Sequence, residues 1–156
     1  MNVDCVLLVE DNENDALLTK AALFDAGVSS PVHVVSTAEE AFAYLSGVGK
    51  YADRTSFPIP KVMFVDLKLP GKSGHEVLRW ILRREEFRHV LRVVLTGSDD
   101  PMDRKLAYDL GANSYLEKPV TTEQITGPSR NLRMLLATRP TMAAARDAAA
   151  VPQDEL

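Results

Sequence analysis

The sequence has little of several features, and each shortage excludes a class of protein. Its 156 residues include one cysteine, Cys5, which rules out an internal disulfide and fits a reducing compartment. No apolar run approaches the ~18 residues that a membrane-spanning helix needs. The N-terminus lacks the basic and apolar regions of a secretory signal. We therefore expect a cytoplasmic protein with no membrane partner.

An excess of positive charge is also missing. The chain carries 18 Lys and Arg residues against 22 Asp and Glu residues, a net charge of −4. A mildly acidic chain is a poor ligand for phosphate backbones, so we expect no nucleic-acid partner. The hydrophobic share of 46% and the charged share of 26% are those of a globular domain. The length suits one domain with a full core.

Short apolar runs rich in β-branched residues predict five strands. They lie at residues 5–9, 32–35, 62–65, 92–95 and 114–116. Three of them are continuous rather than alternating, which is typical of strands buried on both faces of a parallel sheet. His33 interrupts the second run and indicates a strand near a sheet edge.

A helical pattern follows each strand. The first covers residues 13–26, with Gly27 as its stop, and its apolar face is predicted to hold Ala16, Leu17, Ala21 and Phe24. The repeated β-α order predicts an α/β protein of the flavodoxin-like, doubly wound (βα)5 class. Its five-stranded parallel sheet would have the order 2-1-3-4-5.

Cap signals mark the starts of later helices. Thr37 with Glu40, and Ser73 with Glu76, have the spacing of capping boxes. The last helical pattern covers residues 121–138, and Gly127-Pro128 should break or kink it. We expect a domain over residues 1–138 and an Ala-rich tail over residues 139–156. Residues 48–60 form a long connection before the third strand.

Polar residues stand where the predicted strands end. Glu10 and Asp11 follow the first strand, Asp66 the third, Thr96 the fourth and Lys118 the fifth. These strands are neighbours in the predicted order, so the side chains should meet at one edge of the sheet. Clustered carboxylates without His or Cys select Mg²⁺ over Zn²⁺. A hydroxyl and an ammonium beside such a cation predict a site for a phosphoryl group.

These motifs together resemble the receiver domain of two-component response regulators, over about residues 3–138. Each motif is weak alone, but all occur in order and each follows a strand. They are Glu10-Asp11, Asp66, Leu69-Pro70 with Gly74 downstream, Thr96-Gly97 and Lys118-Pro119.

The resemblance implies a phosphoryl acceptor and its metal. Asp66 would attack the phosphohistidine of a sensor histidine kinase. Asp11, Asp66 and the backbone carbonyl of Lys68 would bind Mg²⁺, with Glu10 reaching the ion through water.

It also implies a switch. Lys118 would contact the phosphoryl oxygens, and the Lys118–Pro119 peptide bond would be cis. Thr96 would turn toward the phosphoryl group, and Tyr115 would follow into the space vacated.

A narrower resemblance is to the receivers paired with bacterial phytochrome kinases. It lies in the long connection, in residues 66–70 and in residues 74–78. That subfamily tends to form homodimers. An apolar surplus late in this chain also predicts a homodimer through the C-terminal half, because exposed apolar patches mark interfaces. Leu132, Leu135 and Leu136 can supply the stripe that the core needs, so the surplus comprises Met134 and residues 142–151.

Three other functions remain as alternatives. An aspartyl-phosphate phosphatase or phosphotransferase of the haloacid-dehalogenase type would need an acid at position 68, which is Lys68. A nucleotide- or flavin-binding domain would need a phosphate loop where Glu10 and Asp11 stand. A transcription factor would need a helix-turn-helix module, for which the residues after Pro119 leave too little chain. We predict a signalling switch rather than an enzyme.

Overall fold

The computed structural model describes residues 5–127, which form a five-stranded parallel sheet covered by helices. The predicted order is confirmed: the strands run β2-β1-β3-β4-β5. The strands are β1 (Val6–Val9), β2 (Val32–Val35), β3 (Val62–Asp66), β4 (Leu91–Thr96) and β5 (Ser114–Glu117). The helices are α1 (Glu13–Asp25), α2 (Ala38–Ser46), α3 (Gly74–Leu82), α4 (Pro101–Asp109) and α5 (Thr122–Thr126).

Both faces of the sheet carry a hydrophobic core, which explains the continuous apolar strands. Successive side chains of a strand point to opposite faces. Leu8 and Phe64 therefore join a cluster with residues of α1 and α5, whereas Leu7 and Met63 join one with residues of α2 and α3. Central strands buried on both sides need apolar residues at every position. Their carboxyl ends are consequently held on a rigid platform.

Strand β2 lies at the edge of the sheet, as the interruption by His33 predicted. Three of its four residues are only partly buried or exposed. The His33 ring packs against Tyr44 of α2 and Phe57 of the connection before β3, with its centroid 5.7 Å and 5.4 Å from theirs. His33 is therefore a packing residue of the sheet edge.

The predicted apolar face of α1 is confirmed at Ala16, which is buried, and is wrong at its other three residues. Leu17 is 63% exposed and Phe24 is 57% exposed, whereas Thr19 and Leu23 are buried. The buried stripe comprises Ala16, Thr19, Ala22 and Leu23, which are spaced three or four residues apart along one face of the helix. Small residues on that stripe let the helix approach the sheet, and this rotation decides which acid of the first turn faces the strand ends.

Helix ends follow the predicted signals, although the capping boxes form only in half. Gly27 and Gly47 have φ values of 93° and 69°, as the stops of α1 and α2 require. The Thr37 hydroxyl accepts a hydrogen bond from the Glu40 N–H at 3.1 Å. The Glu40 carboxylate, however, accepts from the Ser36 N–H and not from the Thr37 N–H that a complete capping box would use. Ser73 likewise caps the start of α3 by accepting the Glu76 N–H at 3.4 Å.

The long connection before β3 has more structure than its sequence predicted. Residues Gly49–Tyr51 form a 3₁₀ turn, and so do residues Glu85–Phe87 before β4. Arg54 donates hydrogen bonds to the carbonyls of Tyr44 and Leu45, at 2.8 and 2.5 Å. A guanidinium can satisfy the free carbonyls that end a helix. Arg54 therefore ties the connection to the last turn of α2.

Helix α5 begins after Thr121, its N-cap, close to the predicted start of the last helical pattern, and its Ile125 is fully buried. The break at Gly127-Pro128, the predicted continuation to residue 138, the domain boundary there and the Ala-rich tail lie wholly or partly outside the described residues. Among residues 5–127, none of the helices has both the length and the apolar composition needed to cross a bilayer.

The close approach of α3 to β3 yields a prediction for stability. A Cβ at Gly74 would lie 2.3 Å from the Asp66 carbonyl oxygen and 2.8 Å from the Leu67 Cα. Both are backbone atoms, so Gly74→Ala must displace the helix. We expect its free energy of unfolding in urea to fall by about 2–3 kcal/mol.

The matched control is Gly97→Ala. A Cβ there meets no atom within 4 Å, so its unfolding free energy should stay within about 0.5 kcal/mol of that of the original chain. Equal losses in the two variants would contradict the role of the close approach at Gly74.

Candidate functional site

Three charged side chains from separate strands meet at the carboxyl edge of the sheet. Glu10 follows β1, Asp66 ends β3 and Lys118 follows β5. Glu10 is 2% exposed and Asp66 is 5% exposed. Carboxyl ends of parallel strands form one edge, so residues distant in sequence become neighbours.

The Lys118 ammonium binds three carboxylates. Its Nζ lies 2.5 Å from Glu10 Oε1, 2.9 Å from Asp66 Oδ2 and 3.0 Å from Asp15 Oδ2. An ammonium has three N–H groups, so each carboxylate can take one. The Lys118 side chain is 14% exposed, and the ion pairs are therefore poorly screened by water.

Burial and charge act in opposite directions on these groups. Burial lowers the pKa of Lys118, but hydrogen bonds to Glu10, Asp66 and Asp15 outweigh it and raise that pKa above its usual value. Burial raises the pKa of Glu10; the hydrogen bond from Lys118 opposes this, and the Asp66 charge adds to it. Glu10, Asp66 and Asp15 share one lysine, so the site has a surplus of negative charge.

Glu10, Asp11 and Asp66 could hold a divalent cation. Each offers one carboxylate oxygen, and these oxygens all lie within 4.8 Å of one another. An all-oxygen donor set suits a hard cation. Two backbone amides orient the buried members: Asn12 N–H donates to Glu10 at 3.2 Å, and Lys68 N–H donates to Asp66 at 3.1 Å. The residues present therefore fit the predicted metal site.

Thr96 and Tyr115 form a linked pair beside the acidic cluster, which comprises Glu10, Asp11 and Asp66. Thr96 is fully buried at the end of β4, and its hydroxyl accepts the Ser98 N–H at 3.0 Å. The Tyr115 hydroxyl donates to the Ser98 carbonyl at 3.0 Å and also pairs with the Thr96 side chain. Burial of the Tyr115 phenol raises its pKa. The two predicted switch residues are thus in contact.

Lys118 is joined to the same strand through its backbone. Its N–H donates to the Thr96 carbonyl at 2.9 Å, and the Lys118–Pro119 peptide bond is cis, as the resemblance implied.

The structure brings the predicted site residues together and adds one. At Lys68 the predicted ligand is the backbone carbonyl; the Lys68 side chain is exposed, and its N–H donates to Asp66. Asp15 was not predicted, yet it binds Lys118 as closely as Asp66 does. No sequence signal singles out Asp15, because the rotation of α1 that turns it toward Lys118 is set by packing against the sheet.

The family model of the response regulator receiver domain matches residues 6–128. The chain therefore belongs to the receiver-domain family of response regulators, which act as signalling switches.

Its relatives include phytochrome response regulators. Response regulator Rcp1 of Synechocystis sp. is 32% identical over 130 residues, covering 83% of this chain and 80% of Rcp1. The bacteriophytochrome response regulator RtBRR is 31% identical, with a TM-score of 0.75 and coverage of 96% of this chain and 92% of that chain.

Two further solved structures bear on the site. The phosphorylated cyanobacterial phytochrome response regulator RcpA is 32% identical, with a TM-score of 0.72 and coverage of 90% of this chain and 100% of that chain. The Mn²⁺-bound form of Rcp1 is 28% identical, with a TM-score of 0.70 and coverage of 88% of this chain and 99% of that chain.

The three carboxylates around Lys118 yield a prediction. Lys118→Ala should lower the free energy of unfolding of the metal-free protein by about 3 kcal/mol, because buried carboxylates would lose their cation. Adding MgCl₂ should then stabilise this variant more than the original chain, since no ammonium competes with the metal. Thermal and urea unfolding, with EDTA or with MgCl₂, measure both effects.

Lys105→Ala is the control. Lys105 pairs with Asp109 at 2.8 Å, but both side chains are exposed, so the loss should be below about 0.5 kcal/mol. A comparable loss in both variants would contradict the importance of the buried pairing.

Proposed function

We propose that the protein accepts a phosphoryl group on Asp66 from the phosphohistidine of a sensor histidine kinase. The observation that carries the proposal is the arrangement around the Asp66 carboxylate. The Asp66 side chain is 7% exposed, its carboxylate lies 2.9 Å from the Lys118 ammonium, and it belongs with Glu10 and Asp11 to the group that could hold a metal. A solved structure of the relative RcpA is of its phosphorylated form.

The transfer is a displacement at phosphorus. A carboxylate oxygen of Asp66 forms a bond to phosphorus, while the bond from phosphorus to the histidine nitrogen breaks. The leaving imidazole keeps the electron pair of that bond. Lys118 donates to the equatorial phosphoryl oxygens and offsets charge that develops there.

The metal of the proposed reaction is Mg²⁺. Asp11, Asp66 and the Lys68 carbonyl would bind it, and Glu10 would reach it through water. A bound Mg²⁺ would neutralise charge on the transferring phosphoryl oxygens. The exposed carboxylate of Asp11 leaves one side of the site open to solvent, where a phosphoryl donor can approach.

Thr96 and Tyr115 would convert the chemical change into a conformational one. The Thr96 hydroxyl would turn toward the phosphoryl group as a hydrogen-bond donor. Its bond with Tyr115 would then break, and Tyr115 would move into the vacated space. The guanidinium of Arg104, 4.7 Å from the centre of the Tyr115 ring, links this movement to α4.

The proposed donor is a bacterial phytochrome kinase in the cytoplasm. RtBRR and RcpA are phytochrome response regulators, and both proteins, like Rcp1, are similar to most of this chain. An aspartyl-phosphate phosphatase is less well supported. The acid that it would need two residues after Asp66 is replaced by the exposed Lys68.

Incubating the protein with acetyl phosphate and Mg²⁺ should add one phosphoryl mass. The Asp66→Asn variant should gain no mass, because an amide is a poor nucleophile. Asp66 is the acid that lies beside Lys118 and belongs with Glu10 and Asp11 to the candidate metal site. Intact-protein mass spectrometry measures the gain. Addition of the same mass to the Asp66→Asn variant would show that the acceptor is another residue.

EDTA and Asp11→Ala are the matched tests of the metal. Either should slow phosphorylation at least about 100-fold, since Lys118 alone cannot offset the clustered negative charge. Undiminished phosphorylation in EDTA would contradict the role of the metal. The assignment of Asp66 as the acceptor is tested separately by the Asp66→Asn variant.

We also propose a homodimer joined through the C-terminal half. The apolar residues that support it, Met134 and those of 142–151, lie outside the described residues. Sedimentation at micromolar concentration should give twice the chain mass of 17.2 kDa. Truncation after Thr138 should abolish the doubling. A monomer mass that truncation does not change would refute the dimer.

A further inference from the structure

We propose that Asp15 is a positioning residue, which holds the Lys118 ammonium beside Asp66 while a divalent cation occupies the acidic cluster. The proposal rests on the proposed function, because it concerns the same site. The observation behind it is the juxtaposition of Asp15 Oδ2 and Lys118 Nζ, 3.0 Å apart across 103 residues of sequence.

The backbone of Asp15 is held in place. Its N–H donates to the Asn12 side chain at 2.9 Å, the cap that begins α1. One turn later on the same face of α1, Thr19 is buried against the sheet. The rotation of α1 therefore directs Asp15 toward the strand ends. The Asp15 side chain is 34% exposed and lies at the mouth of the site rather than inside it.

The three partners of Lys118 divide into two kinds. Glu10 and Asp66 also belong to the group whose oxygens could hold a metal, whereas Asp15 is not a member of that group in the described chain. Lys118 and a bound cation would therefore compete for two carboxylates, and they would not compete for Asp15.

This division gives Asp15 its role. Glu10 and Asp66 hold the ammonium less strongly when their charge is shared with a divalent cation, which itself repels the ammonium. Asp15 keeps its full charge and becomes the anchor that remains. With one N–H on Asp15, Lys118 has donors left for the phosphoryl oxygens on Asp66.

Without Asp15, Lys118 would have two poorer choices. The Lys118 ammonium would stay on Glu10 and Asp66 and oppose cation binding, or it would rotate toward the solvent and lose contact with the phosphoryl oxygens. Both choices weaken a measurable step, and neither requires Asp15 to touch the metal or the phosphoryl group.

Mg²⁺ affinity tests the first consequence without any phosphorylation. Calorimetric titration of the full chain would compare the original chain, Asp15→Asn, Lys118→Ala and the double variant. We expect Asp15→Asn to weaken Mg²⁺ binding about 5-fold when Lys118 is present, and less than about 2-fold in the Lys118→Ala background.

Glu13→Gln is the matched control. Glu13 is another acid of the first turn of α1, and it is exposed. Its removal takes away the same charge and should change Mg²⁺ affinity less than about 2-fold. The proposal is overturned if Asp15→Asn has no effect, or has the same effect with and without Lys118.

The rate of phosphorylation tests the second consequence. At saturating Mg²⁺, Asp15→Asn should lower the maximal rate with acetyl phosphate about 5-fold and leave the half-saturating donor concentration unchanged, because Asp15 acts through Lys118. A maximal rate equal to that of the original chain would overturn the positioning role. If the original chain itself gains no phosphoryl mass, the proposed function fails, while the Mg²⁺ titrations still decide whether Asp15 acts through Lys118.

Discussion

The structure of the site depends on one interaction, the ion pairing of the Lys118 ammonium with three carboxylates. The parallel sheet brings Glu10 and Asp66 together in a place that excludes water, and two such acids would repel each other without a cation. Lys118 offsets part of that charge and joins β1, β3 and β5 to the first turn of α1. A surplus of negative charge remains, and this surplus is what suits the site to a metal.

The sheet can place these groups accurately because both of its faces are covered. Strand ends that emerge from two cores have little freedom, so side chains on them are better positioned than side chains on loops. Gly74 extends the same constraint to α3, whose backbone lies against that of β3 beside Asp66. Thr96 on β4 and Tyr115 on β5 are joined through the backbone of Ser98, which ties these two strand ends to each other.

Most of the fold was predictable because its signals are local. Apolar runs, stops such as Gly27 and the caps of the helices each involve a few neighbouring residues, and the strand order follows from their β-α alternation. The capping boxes show the limit of such signals. Thr37 caps α2 as expected, but Glu40 returns to Ser36 instead, because the chain entering the helix decides which amide it reaches.

The acidic cluster, Thr96 and Lys118 could be assigned from the sequence, since each follows a strand and parallel strands end at one edge. Asp15 and Arg54 could not. Apolar residues occur on several sides of α1, so periodicity leaves its rotation open, and packing against the sheet selects the rotation that turns Asp15 toward Lys118. Arg54 likewise finds the carbonyls of α2 only after the connection has folded back over them. The sequence pattern specifies which residues end a strand. Contacts between distant segments decide which other charged residues, such as Asp15, come to lie beside those strand ends.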